Sequence, residues 1–287
     1  MDILSKILDI ILAFLLALGG TPASDANKEY AVSKEALEAP LCVHYIDVGQ
    51  ADSIYIKLPN GKNMLIDAGE NEDGQTVVDY IENLGVTKID YLVGTHPHAD
   101  HIGGLDDVIN SFDIGTVYMP DAYSNTKTFE SVLDAIENNN VKAIRAKSGV
   151  YICNEGDLSV KIISPLNSRY DETNDYSAVI RIVYGKKSFL FTGDAEKGVE
   201  RDLVSSDEPI TADVLKVGHH GSSTSSSSEF IRAVSPSLAV ISVGADNSYG
   251  HPHDEVIKRF ESSDIPILRT DISGTVVVGC DGENIIY

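Results

Sequence analysis

The chain has 287 residues, room for one large α/β domain or two small ones, and 43% of them are hydrophobic, an ordinary share for a protein that buries a core. Acidic residues outnumber basic ones, 44 to 22, for a formal charge of -22; with no cluster of Lys and Arg to make a basic groove, this weighs against a stable, processive complex with nucleic acid. It leaves cleavage of a short or flexible phosphodiester open, while three scattered cysteines (Cys42, Cys153 and Cys280) are too few for a disulfide framework.

In chain order, residues 1–26 have the layout of a secretory signal peptide or retained anchor. A short start with one lysine is followed by the apolar Ile7 to Leu18 and then by small residues. The apolar run is short for a spanning helix, which needs roughly 20 residues, and Asp2 and Asp9 depart from the usual positive start. The expectation is a secreted or extracytoplasmic protein whose membrane contact, if any, is confined to residues 1–26. Residues 27–40 are polar and Ala/Glu-rich and read as a linker, with the domain proper over 41–287.

The domain opens with strand signals at Leu41 to Val48 and Ser53 to Leu58. An Asn60-Gly61 turn follows and then Lys62 to Ile66, which together predict a hairpin. Helical spacing at Thr76 to Leu84 leads to an apolar run, Ile89 to Val93, read as a buried strand. Strand and helix signals then alternate, with helices near Leu105 to Phe112, Thr128 to Asn138, Glu229 to Val234 and Glu255 to Glu261. Strands are predicted at Thr116 to Met119, Ser159 to Ile163, Ala178 to Tyr184, Ser188 to Thr192, Val214 to Val217 and Leu238 to Ser242. The low-complexity run Ser222 to Ser228 reads as a flexible loop. Mixed strands with helices on their outer faces predict a layered α/β sandwich.

The most informative stretch is Thr95-His96-Pro97-His98-Ala99-Asp100-His101-Ile102-Gly103-Gly104. It follows the buried strand, precedes a helix, and crowds imidazoles and a carboxylate suited to zinc, iron or manganese. His96 and His98 can point one way and Asp100 and His101 another, which predicts two adjacent metals. Four more clusters fall at predicted strand ends: Asp67 in Leu65 to Gly69, Asp194 in Phe191 to Asp194, His219-His220-Gly221-Ser222, and His251-Pro252-His253. Seven of the 8 histidines thus lie in three strand-end loops, and His44, alternating into a strand, reads as structural.

Together these pieces, with Asp47 to Ser53, Leu215 to Ser222 and Tyr249 to His253, resemble the metallo-β-lactamase superfamily, and within it the ComEC-type branch. The resemblance implies a four-layer αββα sandwich with metals at one edge of the sheets. It implies that His96 and His98 bind a first divalent ion, Asp100 and His101 a second, and Asp194 both; one histidine of the 219-220 pair completes the second site, His220 being narrowly favoured over His219. Asp67 would orient a liganding histidine, and His219, His251 and His253 would hold a phosphoryl oxygen or protonate the leaving group. Between His101 and Asp194 there is no histidine, so the superfamily's usual third histidine of the first site is missing. Asn174 and Ser177 either line the same cleft or are ordinary loop residues.

The implied activity is a metal-dependent phosphodiesterase or nuclease using two divalent ions, zinc or manganese, to supply hydroxide near neutral pH. Nucleic acid would be met transiently. Two other readings remain: a cell-envelope esterase of phosphorylcholine type, which the acidity favours, and a metal-binding accessory protein without turnover.

Overall fold

The computed structural model describes residues 32–287; the segment read as signal or anchor, and residues 27–31 of the expected linker, lie outside it. No helix among the described residues is long and apolar enough to cross a membrane.

Among the described residues, fifteen strands form two sheets. In chain order they are β1 (Leu41–Tyr45), β2 (Ser53–Lys57), β3 (Asn63–Ala68), β4 (Lys88–Val93), β5 (Asp113–Met119), β6 (Lys142–Arg145), β7 (Tyr151–Glu155) and β8 (Leu158–Ser164). Then come β9 (Val179–Tyr184), β10 (Lys187–Phe191), β11 (Val214–Lys216), β12 (Leu238–Ile241), β13 (Ile267–Arg269), β14 (Val276–Cys280) and β15 (Ile285–Ile286). The first sheet runs β15-β14-β1-β2-β3-β4-β5-β6 and the second β13-β12-β11-β10-β9-β8-β7.

Strand alternation sorts the side chains into layers. Val43, Tyr45, Ile54 and Ile56 of the first sheet share one buried cluster with Phe189, Phe191, Val214 and Val240 of the second. The intervening positions face outward: Tyr55, Leu65 and Leu92 pack with Val77, Ile81, Leu105 and Val108 of the helices Gly74–Asn83 and Leu105–Ser111. On the other side Leu190 and Leu215 pack with Val199, Leu203, Phe230 and Phe260 from helices Lys197–Ser205, Ser228–Val234 and Asp254–Glu261. Helix, sheet, sheet, helix is the expected αββα order. At roughly 25 cal/mol per Å² of apolar surface buried, all three layers contribute to cohesion, the one between the sheets holding them face to face.

One expectation is corrected at the start of the domain. Residues 33–40, assigned to a linker, are part of the fold: Ser33 caps the helix Lys34–Glu38, its hydroxyl accepting from Ala36 N at 3.1 Å. Ala36 and Leu37 are buried against Cys42 and Val277, and Lys57 Nζ donates to Leu37 O. The Ala/Glu-rich composition that read as a linker is equally that of a short helix with one apolar face.

In each sheet a run of parallel strands matters for function. β3, β4, β5 and β6 pair in parallel, as do β10, β11, β12 and β13. Their carboxyl ends carry Asp67, the His96 loop, Asp194 and the His219-His220 turn. Parallel pairing therefore delivers residues distant in sequence to one rim.

Candidate metal centre

The loop after β4 enters a short helix, Ala99–Ile102, with Asp100 in its first turn and His101 beside it. The two glycines that follow let this helix press on the end of β3. A Cβ at Gly103 would lie 2.3 Å from Asn71 N, and one at Gly104 2.5 Å from Ala68 O. The HxHxDH stretch thus needs Gly-Gly behind it because no side chain fits.

Asp67 fixes His101. Its carboxylate accepts from Thr95 N and Thr95 Oγ1, each at 2.7 Å, and from His101 Nδ1 at 2.8 Å. With Nδ1 committed, His101 Nε2 faces Asp194 Oδ1 at 3.2 Å and Asp100 Oδ2 at 3.7 Å. His220 is oriented the same way: Nδ1 donates to Ser242 O at 3.0 Å, leaving Nε2 3.4 Å from Asp100 Oδ2 and 3.9 Å from Asp194 Oδ1. Each imidazole is held by its back nitrogen and offers the front one, the arrangement metal-binding histidines adopt.

Asp100, His101, Asp194 and His220 accordingly bring one donor atom each within 4.8 Å of one another. His101 Nε2, Asp194 Oδ1 and His220 Nε2 are buried and make no hydrogen bond. Three such polar atoms converging on one point would be costly in a folded core unless something pairs with them. Two imidazoles and two carboxylates suit a divalent ion of zinc or manganese type, so the residues fit the group the resemblance implies.

The electrostatics point the same way. Burial pushes the His101 imidazole down, but the carboxylates of Asp194, Asp100 and Asp67 outweigh it and hold the group well above the ordinary histidine range. Burial likewise opposes His220, yet Asp194 and Asp52 lift it. In return His101 and His220 overcome the burial penalty on Asp194 and hold its carboxyl well below the usual range. The centre carries surplus negative charge that a cation relieves.

The backbone is strained where these side chains are presented. Asp67, His219 and His220 have φ of 58°, 51° and 52°, the left-handed region, which costs a non-glycine residue about 1 kcal/mol or more. The surrounding sheets hold these conformations.

The histidines expected at a first metal stand together but less completely. His96 Nε2 lies 3.0 Å from His98 Nδ1, and the His96 ring centroid is 4.2 Å from that of His101. His96 Nδ1 lies 3.4 Å from Ser177 Oγ, which also accepts from Asp194 N at 3.1 Å. Ser177 thus occupies the flank of His96, and of its two expected environments the cleft is the one observed. Burial keeps His96 well below the usual histidine range. Among the described residues the compact donor sets are Asp100/His101/Asp194/His220 and Asp52/Asp67/His101; neither contains His96 or His98.

Beyond Asp194, His219 Nε2 lies 3.5 Å from its second oxygen, Oδ2, while His219 Nδ1 contacts Thr224 Oγ1 at 3.1 Å. The His251 ring is 5.6 Å from that of His219 and stands near Gln50 Nε2 at 3.4 Å. Burial lowers its pKa to about 4. His253 packs on His251 with centroids 4.8 Å apart, and its Nδ1 accepts from Ser223 N at 2.9 Å, so that nitrogen is committed to a loop contact.

Two members of the cluster lie in the motifs quoted from the sequence, but sequence reasoning gave neither a role. Asp52 and Lys216 form a fully buried ion pair at 2.9 Å directly behind His101 and His220. A lysine inside an apolar strand, Val214-Leu215-Lys216-Val217, was the signal available.

Comparison with known proteins gives four findings. A family model described as "Metallo-beta-lactamase superfamily" matches residues 46–245. The chain is 32% identical over 251 residues to "ComE operon protein 3" of Bacillus subtilis; the match takes in 82% of this chain and 32% of that protein, so the chain spans about a third of its relative's length. A shorter match, 28% identical over 131 residues, 37% of this chain and 38% of the other, is to "Ribonuclease Z" of Clostridium botulinum. Among solved structures, the metallo-beta-lactamase fold protein YhfI from Bacillus subtilis superposes with a TM-score of 0.55 at 11% identity, over 83% of this chain and 98% of that one.

Proposed function

For this chain, which belongs to the metallo-beta-lactamase superfamily, we propose the activity of a metal-dependent phosphodiesterase acting on small or flexible substrates. The observation that carries the proposal is the tetrad Asp100, His101, Asp194 and His220, in which three converging buried atoms, His101 Nε2, Asp194 Oδ1 and His220 Nε2, lack any hydrogen-bond partner of their own. The tetrad would hold one divalent ion, zinc or manganese. His96 and His98 would contribute to a second, with Asp194 facing both. A pair of such ions supplies an acidified water and charge neutralisation at a phosphoryl oxygen.

The chain's own residues do the rest. Asp67 and Ser242 O keep the imidazoles of His101 and His220 turned so that their front nitrogens are free. His219, 3.5 Å from Asp194 Oδ2 and partly exposed, would hold a non-bridging oxygen. His251, kept neutral by burial, would steady the leaving oxygen with a hydrogen bond from its ring N–H instead of giving up a proton to it. His253 fixes this rim through Ser223. A relative named as a ribonuclease supports a phosphodiester as the bond cleaved. A likeness of 31% identity over 242 residues to "Competence protein ComA" of Neisseria gonorrhoeae supports an extracytoplasmic setting and transient contact with nucleic acid.

The test is turnover of bis-p-nitrophenyl phosphate with zinc or manganese, alongside single-stranded DNA and a phosphorylcholine ester. Hydrolysis abolished by chelation and by Asp194→Ala is expected. A metal-loaded protein inert to all three would overturn the proposal in favour of a binding role. The charge of -22 favours the second reading, an envelope phosphorylcholine-type esterase, and preference for that ester over DNA would select it.

A further inference from the structure

A cation already lies behind the candidate metal centre, and it belongs to the chain. Lys216 sits in β11 between the buried Leu215 and Val217; it is 0% exposed, and among the described residues no other Lys or Arg is buried. An ammonium placed so deeply needs a counter-charge and filled hydrogen bonds to persist. Its Nζ lies 2.9 Å from Asp52 Oδ2 and donates to Val217 O at 3.0 Å.

Asp52 has more to offer than this pairing uses. Its Oδ1 is buried without a hydrogen bond, 3.5 Å from His220 Nδ1, and its Oδ2 is 3.9 Å from His101 Nδ1. Asp67 lies against the same His101 Nδ1 at 2.8 Å. Asp52, Asp67 and His101 are thus a second compact donor set, fully buried, sharing His101 with the tetrad. Each set has two carboxylates, so charge alone does not tell a divalent ion which to enter. The shared imidazole cannot serve both with the same proton arrangement. Its Nδ1 carries the proton given to Asp67 when Nε2 faces the tetrad, and would lose it to a metal behind.

We infer that Lys216 is the fixed counter-cation of this rear set, and that it positions the metal centre by denying Asp52 and Asp67 to a divalent ion. It halves the rear set's formal charge and fills the space beside Asp52. His101 Nδ1 therefore stays protonated and bonded to Asp67. Lys216 touches no substrate; it acts through His101 and Asp52. This goes beyond the phosphodiesterase reading and is testable apart from it.

The experiment counts bound metal by elemental analysis after dialysis against manganese. It compares the parent, Lys216→Ala, and Asp52→Asn/Lys216→Ala. Lys216→Ala should carry one equivalent more than the parent, and the double variant should return to the parental count. With bis-p-nitrophenyl phosphate, Lys216→Ala should lose at least tenfold in kcat with KM within twofold, because His101 is drawn rearward. A folded Lys216→Ala with the parental count overturns the inference. If that variant unfolds without metal, manganese should restore it and should not be needed by the double variant; failure of manganese to do so also overturns the inference. A parent that binds no manganese would sink the metal-centre reading instead, whereas an extra equivalent in Lys216→Ala would still stand.

Discussion

Asp67 shows how a residue away from the reacting atoms sets the properties of the centre. Its three accepted hydrogen bonds lock Thr95 and His101, and burial raises its carboxyl above the usual range, so its charged form depends on those donors. Asp67→Ala should weaken metal binding about 10- to 100-fold in a competition titration with a chromophoric chelator, the usual cost of losing such a partner. Binding unchanged within twofold would mean that Thr95 and the helix alone hold His101. His44, which the sequence marked as structural, is buried between Tyr80 and Cys42, with Nδ1 2.8 Å from Tyr80 Oη. Burial depresses its pKa to about 3. Because the unfolded chain protonates near 6.5, it binds the extra proton between these values. Stability from this group is complete above pH 6.5 and is lost as pH falls toward 3. The loss is about 2 kcal/mol at pH 5 relative to pH 7. Between the two pH values urea unfolding should show the parent losing about 2 kcal/mol more stability than His44→Gln, since the other shifted groups are common to both. The ligand motif was readable because its residues are contiguous; Asp52 and Lys216 were not, because their pairing exists only once the two sheets face each other.

The elements follow the same logic. Helices with a clear apolar face were readable, and Lys127–Asn138 and Asp254–Glu261 fall within a residue of their expected bounds. The edge strands β6 and β7 were not readable: Lys142–Arg145 is almost wholly exposed and lacks the alternation that marks a half-buried strand. The serine run misled in the opposite sense. Residues 222–228 read as a flexible loop, yet Ser222, Ser225 and Ser226 are buried. Glu200, on the helix Lys197–Ser205, accepts from the backbone N–H groups of Ser226 and Ser227, and Arg259 donates to the carbonyls of Ser225 and Ser226. Low complexity concealed a segment whose backbone groups are satisfied by side chains from two helices. This segment backs the His219-His220 turn. Glu200→Ala leaves two N–H groups unpaired, that of Ser226 buried and that of Ser227 partly so, and should cost about 1–3 kcal/mol each at most. Amide exchange over 222–228 should rise well before global unfolding. Exchange that stays at the parental rate would return the segment's order to packing alone.

Across the molecule, the two-sheet architecture brings four strand ends to one rim and supplies the rigidity that a strained, surplus-charged centre requires. The whole surface then governs what reaches that rim. A charge of -22 repels a polyanion over distances of about a Debye length, roughly 10 Å at 0.1 M salt. Even a fully loaded pair of divalent ions leaves most of that charge in place. A small neutral-ended or zwitterionic ester is unaffected, so the two substrate classes respond differently to salt. For a single-stranded 20-mer, KM should fall as salt rises from 50 to 200 mM at fixed metal, because screening removes repulsion. For bis-p-nitrophenyl phosphate, which carries a single negative charge, the change should be far smaller, and for a zwitterionic phosphorylcholine ester it should be nearly flat. Proteins that bind nucleic acid through basic contacts show the opposite slope, since they lose counterion-release energy as salt rises. A KM for the 20-mer that climbs steeply with salt would therefore reveal a local positive track that the overall charge conceals, and would move the substrate toward long nucleic acid.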